Sequence, residues 1–309
     1  MSVSGPNATA VVVTYQSAAT LPAMLAAARR CRDEQVLEYI FVDNDSKDET
    51  AALLQQESTW ARVMLTGANN GFGSGCNVGL AEVTTPYTIF INPDAVVEPA
   101  AIRAMTQFLD RHPQVGIVGP AITEGQGDPS TYSLQATGPR ATPASVVRAA
   151  TPFIARPSAA QAIVPGSEAF RTGWVCGAVF MVRTDLMRRL RGFDPRFFLY
   201  WEEVDVCRRA DDLGFETWAL GAAVAHHVGG ASSVDDGTRI GGCIARHYYQ
   251  SRRYYLIKHH GWMSATLAEL AEALLLAARA VVDAWRGKGW SRLRPRLQAT
   301  LFSQPGTSR

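Results

Sequence analysis

The sequence predicts an α/β protein, a sheet flanked by helices, with a helical extension at the C-terminus. Three observations carry this. Over the first 120 residues, apolar strand-like runs alternate with helix-like stretches, the pattern of a parallel sheet covered on both faces. Polar clusters fall at the ends of several of these runs, where such sheets bind ligands. From about Gly261 the chain reads as helix.

The elements follow in order. "ATAVVVTY" (8–15) is a buried strand, and "TLPAMLAAARR" a helix with Thr20 as N-cap and Pro22 in its first turn. "YIFVD" (39–43) is the second strand. "DSKDETAALLQQ" reads as a helix whose acidic first turn complements the macrodipole, with Asp45 and Ser46 as caps. "ARVMLT" (61–66) is the third strand, and the glycine-rich "NNGFGSGCNVGL" (69–80) leads from it into a helix. "PYTIFIN" (86–92) is the fourth strand, "EPAAIRAMTQFLDRHP" an amphipathic helix, and "VGIVGP" (115–120) the fifth strand. Beyond about residue 124 the chain turns rich in Gly, Pro, Ser and Ala, as lids and binding loops do. A second ordered block runs from "GWVCGAVFMVR" (173–183) through "GFDPRFFLYWEEVDVCRRADDLGFETW" (192–218) to "AAVAHHVGGASS" (222–233).

The totals narrow the function class. At 309 residues with 47% apolar content, the chain has material for a sizeable core. A net charge of +2 implies no global attraction to nucleic acid. The five cysteines are scattered, odd in number and without a CxxC pair, which argues against a disulfide framework or zinc site and suits a reducing compartment. The N-terminus lacks the basic and apolar regions of a signal peptide, and no uncharged apolar run approaches the roughly 18 residues of a membrane span. The expectation is a cytoplasmic protein.

Candidate chemistry sits where strands end. Thr14 and Tyr15 follow strand one, Asp43-Asn44-Asp45 strand two, and Asn92-Pro93-Asp94 strand four. The glycines of 69–80 would let backbone N–H groups approach a ligand closely. In order along the chain, "VVVTYQS", "YIFVDNDSKDET", "NNGFGSGCN", "INPDAVVEP", "GAVFMVR", "GFDPRFFLYWEEVDVCRR" and "HHVGGASS" together resemble the family 2 glycosyltransferases of GT-A fold, specifically bacterial rhamnosyltransferase-like members. The resemblance covers about residues 9–260.

The resemblance implies a GT-A domain over 1–260, a Rossmann-like mixed sheet flanked by helices. Residues 1–120 would be its nucleotide-sugar half and 121–260 its acceptor half, with a mobile loop at about 124–170. It implies inverting transfer of a sugar from a nucleotide donor to an acceptor hydroxyl. The "NPD" form and "GFDPRFFLYWEEVD" lean towards dTDP-rhamnose as donor and leave other dTDP- or UDP-sugars open. The acceptor would be a glycan or a lipid-linked molecule, in cell-surface polysaccharide synthesis.

By the same resemblance, "NPD" takes the place of the metal-binding Asp-x-Asp motif. Asp94 would ligate Mg²⁺ or Mn²⁺, hard cations that neutralise a departing diphosphate, and Asn92 stands where relatives carry the first Asp. Asp43 would accept the N3–H of uracil or thymine, with a turn or capping role as the plain alternative. Asn69, Gly71, Phe72, Gly75 and Asn77 would form a donor-side wall beside Thr14 and Tyr15, although turn duty explains the individual glycines equally well. Glu203 would be the general base, in a position where relatives carry Asp. Glu202 would orient its neighbours, and Asp205 would pair with Arg208 or Arg209. Trp174 and Gly177 belong to the acceptor-side segment. Trp201, with Tyr200, fits either a sugar-stacking wall or core packing. His227, with His226 as fallback, would approach the metal or diphosphate.

In 264–285 the charges Glu269, Glu272, Arg279 and Asp283 form one narrow stripe on a helix and leave a wide apolar face. "AWRGKGWSRLRPR" follows, basic and without an acid. Residues 264–296 fit a peripheral contact with an anionic membrane at the inner face of the plasma membrane. Packing on the core, or a homodimer interface, fits the helix as well. Two rival functions stay in view. The departures at Asn92 and Glu203 allow a non-catalytic sugar-nucleotide or glycan-binding module of the same fold. A dehydrogenase is the weaker rival, because the link "TYQSAATL" lacks GxGxxG.

Overall fold

The computed structural model describes residues 5–150, 161–228 and 242–285. The end of the "HHVGGASS" motif and the basic tail, from Arg286 onward, lie outside the described residues. The small and β-branched run Ala8–Thr14 forms β1, buried along its whole length as a central parallel strand must be. In chain order there follow α1 (Leu21–Asp33), β2 (Glu38–Asp43), α2 (Thr50–Gln55), β3 (Arg62–Leu65), α3 (Phe72–Leu80), β4 (Tyr87–Ile91), β5 (Ala95–Val97), α4 (Pro99–Arg111) and β6 (Val115–Glu124). Then come β7 (Ser133–Leu134), β8 (Ala136–Thr137), α5 (Pro143–Ala150), β9 (Gln161–Ala162), β10 (Phe170–Thr172), β11 (Val179–Arg183), α6 (Thr184–Arg189), α7 (Glu202–Asp212), β12 (Glu216–His227), α8 (Gly242–His260) and α9 (Trp262–Trp285).

The main sheet has the order β10-β12-β6-β11-β4-β1-β2-β3, with β5 added to β12 and β7 to β6. Strands β1 to β4 pair in parallel, as do β6 and β12, while β11 runs antiparallel between β4 and β6. The sheet is therefore mixed. One edge collects the C-terminal ends of β1, β2, β4, β6 and β12 together with the residues that enter β11. Phe41, Ile89, Ile102 and Leu109 belong to the core on one face, and Phe90, Phe180, Phe193 and Val206 to that on the other. Helix α3 lies so close to the sheet that a Cβ on Gly75 would stand 2.7 Å from Val13, so glycine is what permits the approach.

Three local expectations are corrected. Thr20 precedes α1 but does not cap it; its hydroxyl donates to the Ser17 carbonyl. Helix α2 starts only at Thr50, leaving the acids before it in a turn where Asp45 has φ 67°. Asp48 there accepts from the Thr50 N–H and hydroxyl, and Ser46 bonds to Asp43, so neither Asp45 nor Ser46 caps a helix. Strand β6 does not stop at Pro120 but runs to Glu124. Proline has no N–H for a ladder, and β12 breaks register opposite it: Leu220 pairs with Pro120 and Val224 with Ala121, leaving three residues bulged between.

The chain forms two compact units. The first comprises Met1–Pro139, Ala160–Pro195 and Glu202–Gly229 and holds the main sheet. The second comprises Arg140–Ala159, Arg196–Trp201 and Gly230–Arg309. Within it, α9 turns its charges towards α8, where Arg252 pairs with Glu272 and Arg253 with Glu269, both carboxylates buried. A buried carboxylate is tolerable only with such a partner, and two consecutive arginines on α8 supply them. The apolar side of α9 consequently faces outward.

Candidate active site

The ligand-binding edge begins at β1 and β2. Thr14 is buried and donates its hydroxyl to Asp43 at 2.9 Å, and Ser46 gives Asp43 a second hydroxyl at 2.6 Å and its N–H at 2.9 Å. Three donors thus hold the Asp43 carboxylate in place. Tyr15, next along, is 46% exposed and free to offer a ring face. Asn44 reaches across to the Gly71 carbonyl, while Asn69 accepts the Gly71 N–H, and Gly71 itself has φ 88°. The glycine-rich turn is fixed by asparagines on both sides.

Beyond Gly71 the same segment serves structure. Asn77 exchanges two hydrogen bonds with the backbone of Phe193, and Phe72 packs edge-on against the Phe193 ring. Gly75 is pressed against Val13 and Asn44. The structure therefore brings Thr14, Asp43, Asn69 and Gly71 to one edge, and places Phe72, Gly75 and Asn77 in the packing behind it.

At the end of β4, Asn92 opens a tight turn: its carbonyl accepts from Ala95, and its N–H donates to Ala178 at 2.8 Å. Pro93 fits the second position of such a turn. The turn buries Asp94 and aims it at β12, where the His227 Nε2 lies 3.0 Å from Asp94 Oδ1 across 133 residues of sequence. The other ring nitrogen of His227 is 3.2 Å from Glu124 Oε1. Burial disfavours the imidazolium, but hydrogen bonds to Asp94 and Glu124 outweigh it and push His227 up to about 9. His226 points to the opposite face, against Thr123 and stacked on Tyr132.

Glu124 is the residue that sequence reading missed. It is the last residue of β6 and the direct register partner of His227, and Gln135 holds its second oxygen. Extending strand five through "AITE" would have placed it at the edge.

Glu203 stands in the first turn of α7. Burial raises its carboxyl to about 7, against the pull of backbone N–H groups of Glu203, Val204 and Gly177. Gly177 makes room for it, since a Cβ there would lie 3.2 Å from Glu203 Cδ. Glu202 is buried beside Gly73. Asp205 is wholly buried and paired with Arg209 at 2.7 Å, four residues on. Trp174 is half-buried at the start of the segment that leads to Gly177. Trp201 belongs to the second unit, against Tyr248 and Tyr255 of α8.

The donor set is a test for a metal. Among the described residues no three His, Cys, Asp or Glu side chains group so as to hold an ion by themselves. Asp94 and, once a cation has displaced the Nε2 proton, His227 would supply one oxygen and one nitrogen, which suits an ion that takes its other ligands from diphosphate and water.

A mixed sheet with acidic turns at its ligand-binding edge and a buried carboxyl beside it is the architecture of GT-A glycosyltransferases. Residues 9–165 match the model of the family "Glycosyl transferase family 2", and the chain belongs to that family. It is 26% identical over 279 residues to the N-acetylglucosaminyl-diphospho-decaprenol L-rhamnosyltransferase of Mycobacterium tuberculosis, covering 83% of this chain and 86% of that one. The fold is shared with the mannosyltransferase PcManGT from Pyrobaculum calidifontis, solved with GDP-Man and Mn²⁺, at TM-score 0.54 and 16% identity over 97% of this chain and 84% of that one. It is shared also with GalNAc-T7, solved with UDP, GalNAc and Mn²⁺, at TM-score 0.57 and 13% identity over 81% of this chain. This chain spans 48% of the length of that structure.

Proposed function

We propose that the chain is an inverting, metal-assisted rhamnosyltransferase that uses dTDP-rhamnose and acts on a lipid-linked glycan at the inner face of the plasma membrane. The observation that carries this reading is the meeting of Asp94 and His227 at the mouth of the sheet. The rhamnosyltransferase name of the mycobacterial relative, and its lipid-diphosphate acceptor, support the choice of donor and acceptor.

The donor would lie along the edge, its base and ribose over Thr14, Tyr15 and Asp43. Strands β2 and β4 are separated by β1 alone, so their ends stand roughly 10 Å apart, two strand spacings, which a nucleoside diphosphate can bridge. Asp94 and His227 would hold Mg²⁺ or Mn²⁺ together with the diphosphate, and the ion would neutralise charge on the leaving group. Glu203 takes the proton of the acceptor hydroxyl at its carboxylate. Its raised affinity for protons makes it a competent base near neutrality, and the N–H of Gly177 keeps it aimed. The acceptor oxygen then attacks the anomeric carbon opposite the diphosphate, inverting its configuration. Trp174 and Gly177 border the acceptor's approach.

Thermal melting against a panel of nucleotide sugars, with and without Mn²⁺ or Mg²⁺, tests this. The expected result is metal-dependent stabilisation by dTDP-rhamnose that Asp94→Ala abolishes, while circular dichroism shows the free variant still folded at a lower melting point, its buried His227 having lost a partner. Stabilisation without turnover on any lipid-linked acceptor would instead favour a sugar-nucleotide-binding module. Full transfer by Asp94→Ala would remove that residue from the mechanism.

A further inference from the structure

We infer that the outward face of α9 is a docking surface for an anionic lipid bilayer. At about 100° per residue, Met263, Leu267, Leu270, Leu274, Val281 and Trp285 fall within an arc of about 60°. They are exposed along the whole helix, from 69% at Met263 through 67% at Leu267 and 72% at Leu274 to 90% at Trp285. Glu269 and Glu272 point the other way, each consumed by an arginine of α8. An amphipathic helix in water ordinarily turns its carboxylates out and its leucines in. Here α8 enforces the reverse, and a continuous apolar stripe is left for an external partner.

Charge selects the partner. After Trp285 the chain continues with Arg286, Lys288, Arg292, Arg294, Arg296 and Arg309, and residues 286–309 contain no Asp or Glu. An apolar stripe continued by an unbalanced basic segment matches acyl chains beneath anionic headgroups. A second copy would carry the same unbalanced positive charge in its sequence, where an anionic bilayer carries the opposite sign. The helix does not cross the membrane: among the described residues no helix is long and apolar enough to do so. It would lie in the interface plane, with the exposed Trp285 at headgroup depth. The inference does not depend on the transferase reading, because its probe is lipid alone.

Co-sedimentation of the full chain with vesicles tests it, using phosphatidylcholine alone and phosphatidylcholine mixed with phosphatidylglycerol. The expected result is binding to the anionic vesicles that weakens with added salt. The L267E/L274E variant should bind about tenfold less tightly or worse, and the milder L267S/L274S variant should fall between. Both leucines are exposed, so circular dichroism should show each variant folded. The inference is overturned if the wild-type chain stays in solution beside anionic vesicles, or if L267E/L274E sediments with them equally well. It is overturned also if, without binding lipid, the wild type is a dimer that L267E/L274E dissociates, which would make the face a junction between copies.

Discussion

At the β1–β2 end of the sheet, Asp43 spends its carboxylate on Thr14 and Ser46, and the glycine-rich turn is pinned by Asn44 and Asn69. At the β6–β12 end, Asp94 and Glu124 share one imidazole, and Glu203 holds its proton up to about neutrality. The first region is polar and internally satisfied, which suits a cradle that recognises shape. The second concentrates acidic and basic groups whose partners can change, which suits chemistry. Proximity to a ligand edge does not by itself separate these roles. What separates them is the kind of partner, hydroxyls and amides in the first and titratable groups in the second.

Three substitutions press on that contrast, beginning with the largest effect. Glu203→Gln keeps the size of the side chain and removes the base, so kcat should fall by about 10²–10⁴-fold with the fold intact. Wild-type kcat/KM should rise with pH to a plateau above about 7, the acid limb being set by Glu203, and the residual activity of the variant should lack that limb. Stability carries the matching sign. A carboxyl raised by burial binds its proton more tightly when folded, so Glu203 should make wild-type stability fall as pH climbs from the ordinary carboxylate range to about 7, where its share of the slope ends. Melting curves of the variant should lose that slope. Full activity in Glu203→Gln would place the base elsewhere.

Glu124→Gln is next. It leaves a hydrogen-bond acceptor for the His227 ring but withdraws the charge that helps to hold it. Loss of such an outer partner typically weakens a metal site about 10–100-fold. Calorimetric titration with Mn²⁺ in the presence of dTDP should show this, and an unchanged affinity would reduce Glu124 to a structural residue. The smallest catalytic effect is expected at Asp43→Asn. One amide cannot accept from all the present donors, so urea unfolding should show a loss of about 1–3 kcal/mol, with kcat within about threefold of wild type if the role is positional. A collapse of kcat in a well-folded Asp43→Asn would break the contrast between the two regions.

Much of this was legible in the residues. Strands buried on both faces are near-continuous apolar runs, so β1, β2 and β4 announced themselves, and the acids behind them marked the edge. Helical spacing narrowed the partner of Asp205 to Arg208 or Arg209, and the structure chooses Arg209. Glu124 was hidden because Pro120 reads as the end of a strand, although the apolar run continues past it into "AIT". Nor could the direction of α9 be read, since periodicity defines a stripe without saying which side meets the protein. Arg252 and Arg253, on a different helix, decide that. The roles of Asn77 and Gly75 were hidden for the same reason: their partners, Phe193 and Val13, are remote in sequence.

The break in register opposite Pro120 has a consequence for the histidine doublet. Side chains on a strand alternate, so whichever of two neighbouring imidazoles meets Asp94 depends on whether an odd or even number of residues has been passed along the way. The bulge at 221–223 sets that parity for everything downstream in β12. His227 is thus chosen over His226 by arithmetic carried out several residues earlier, not by any difference between the two rings.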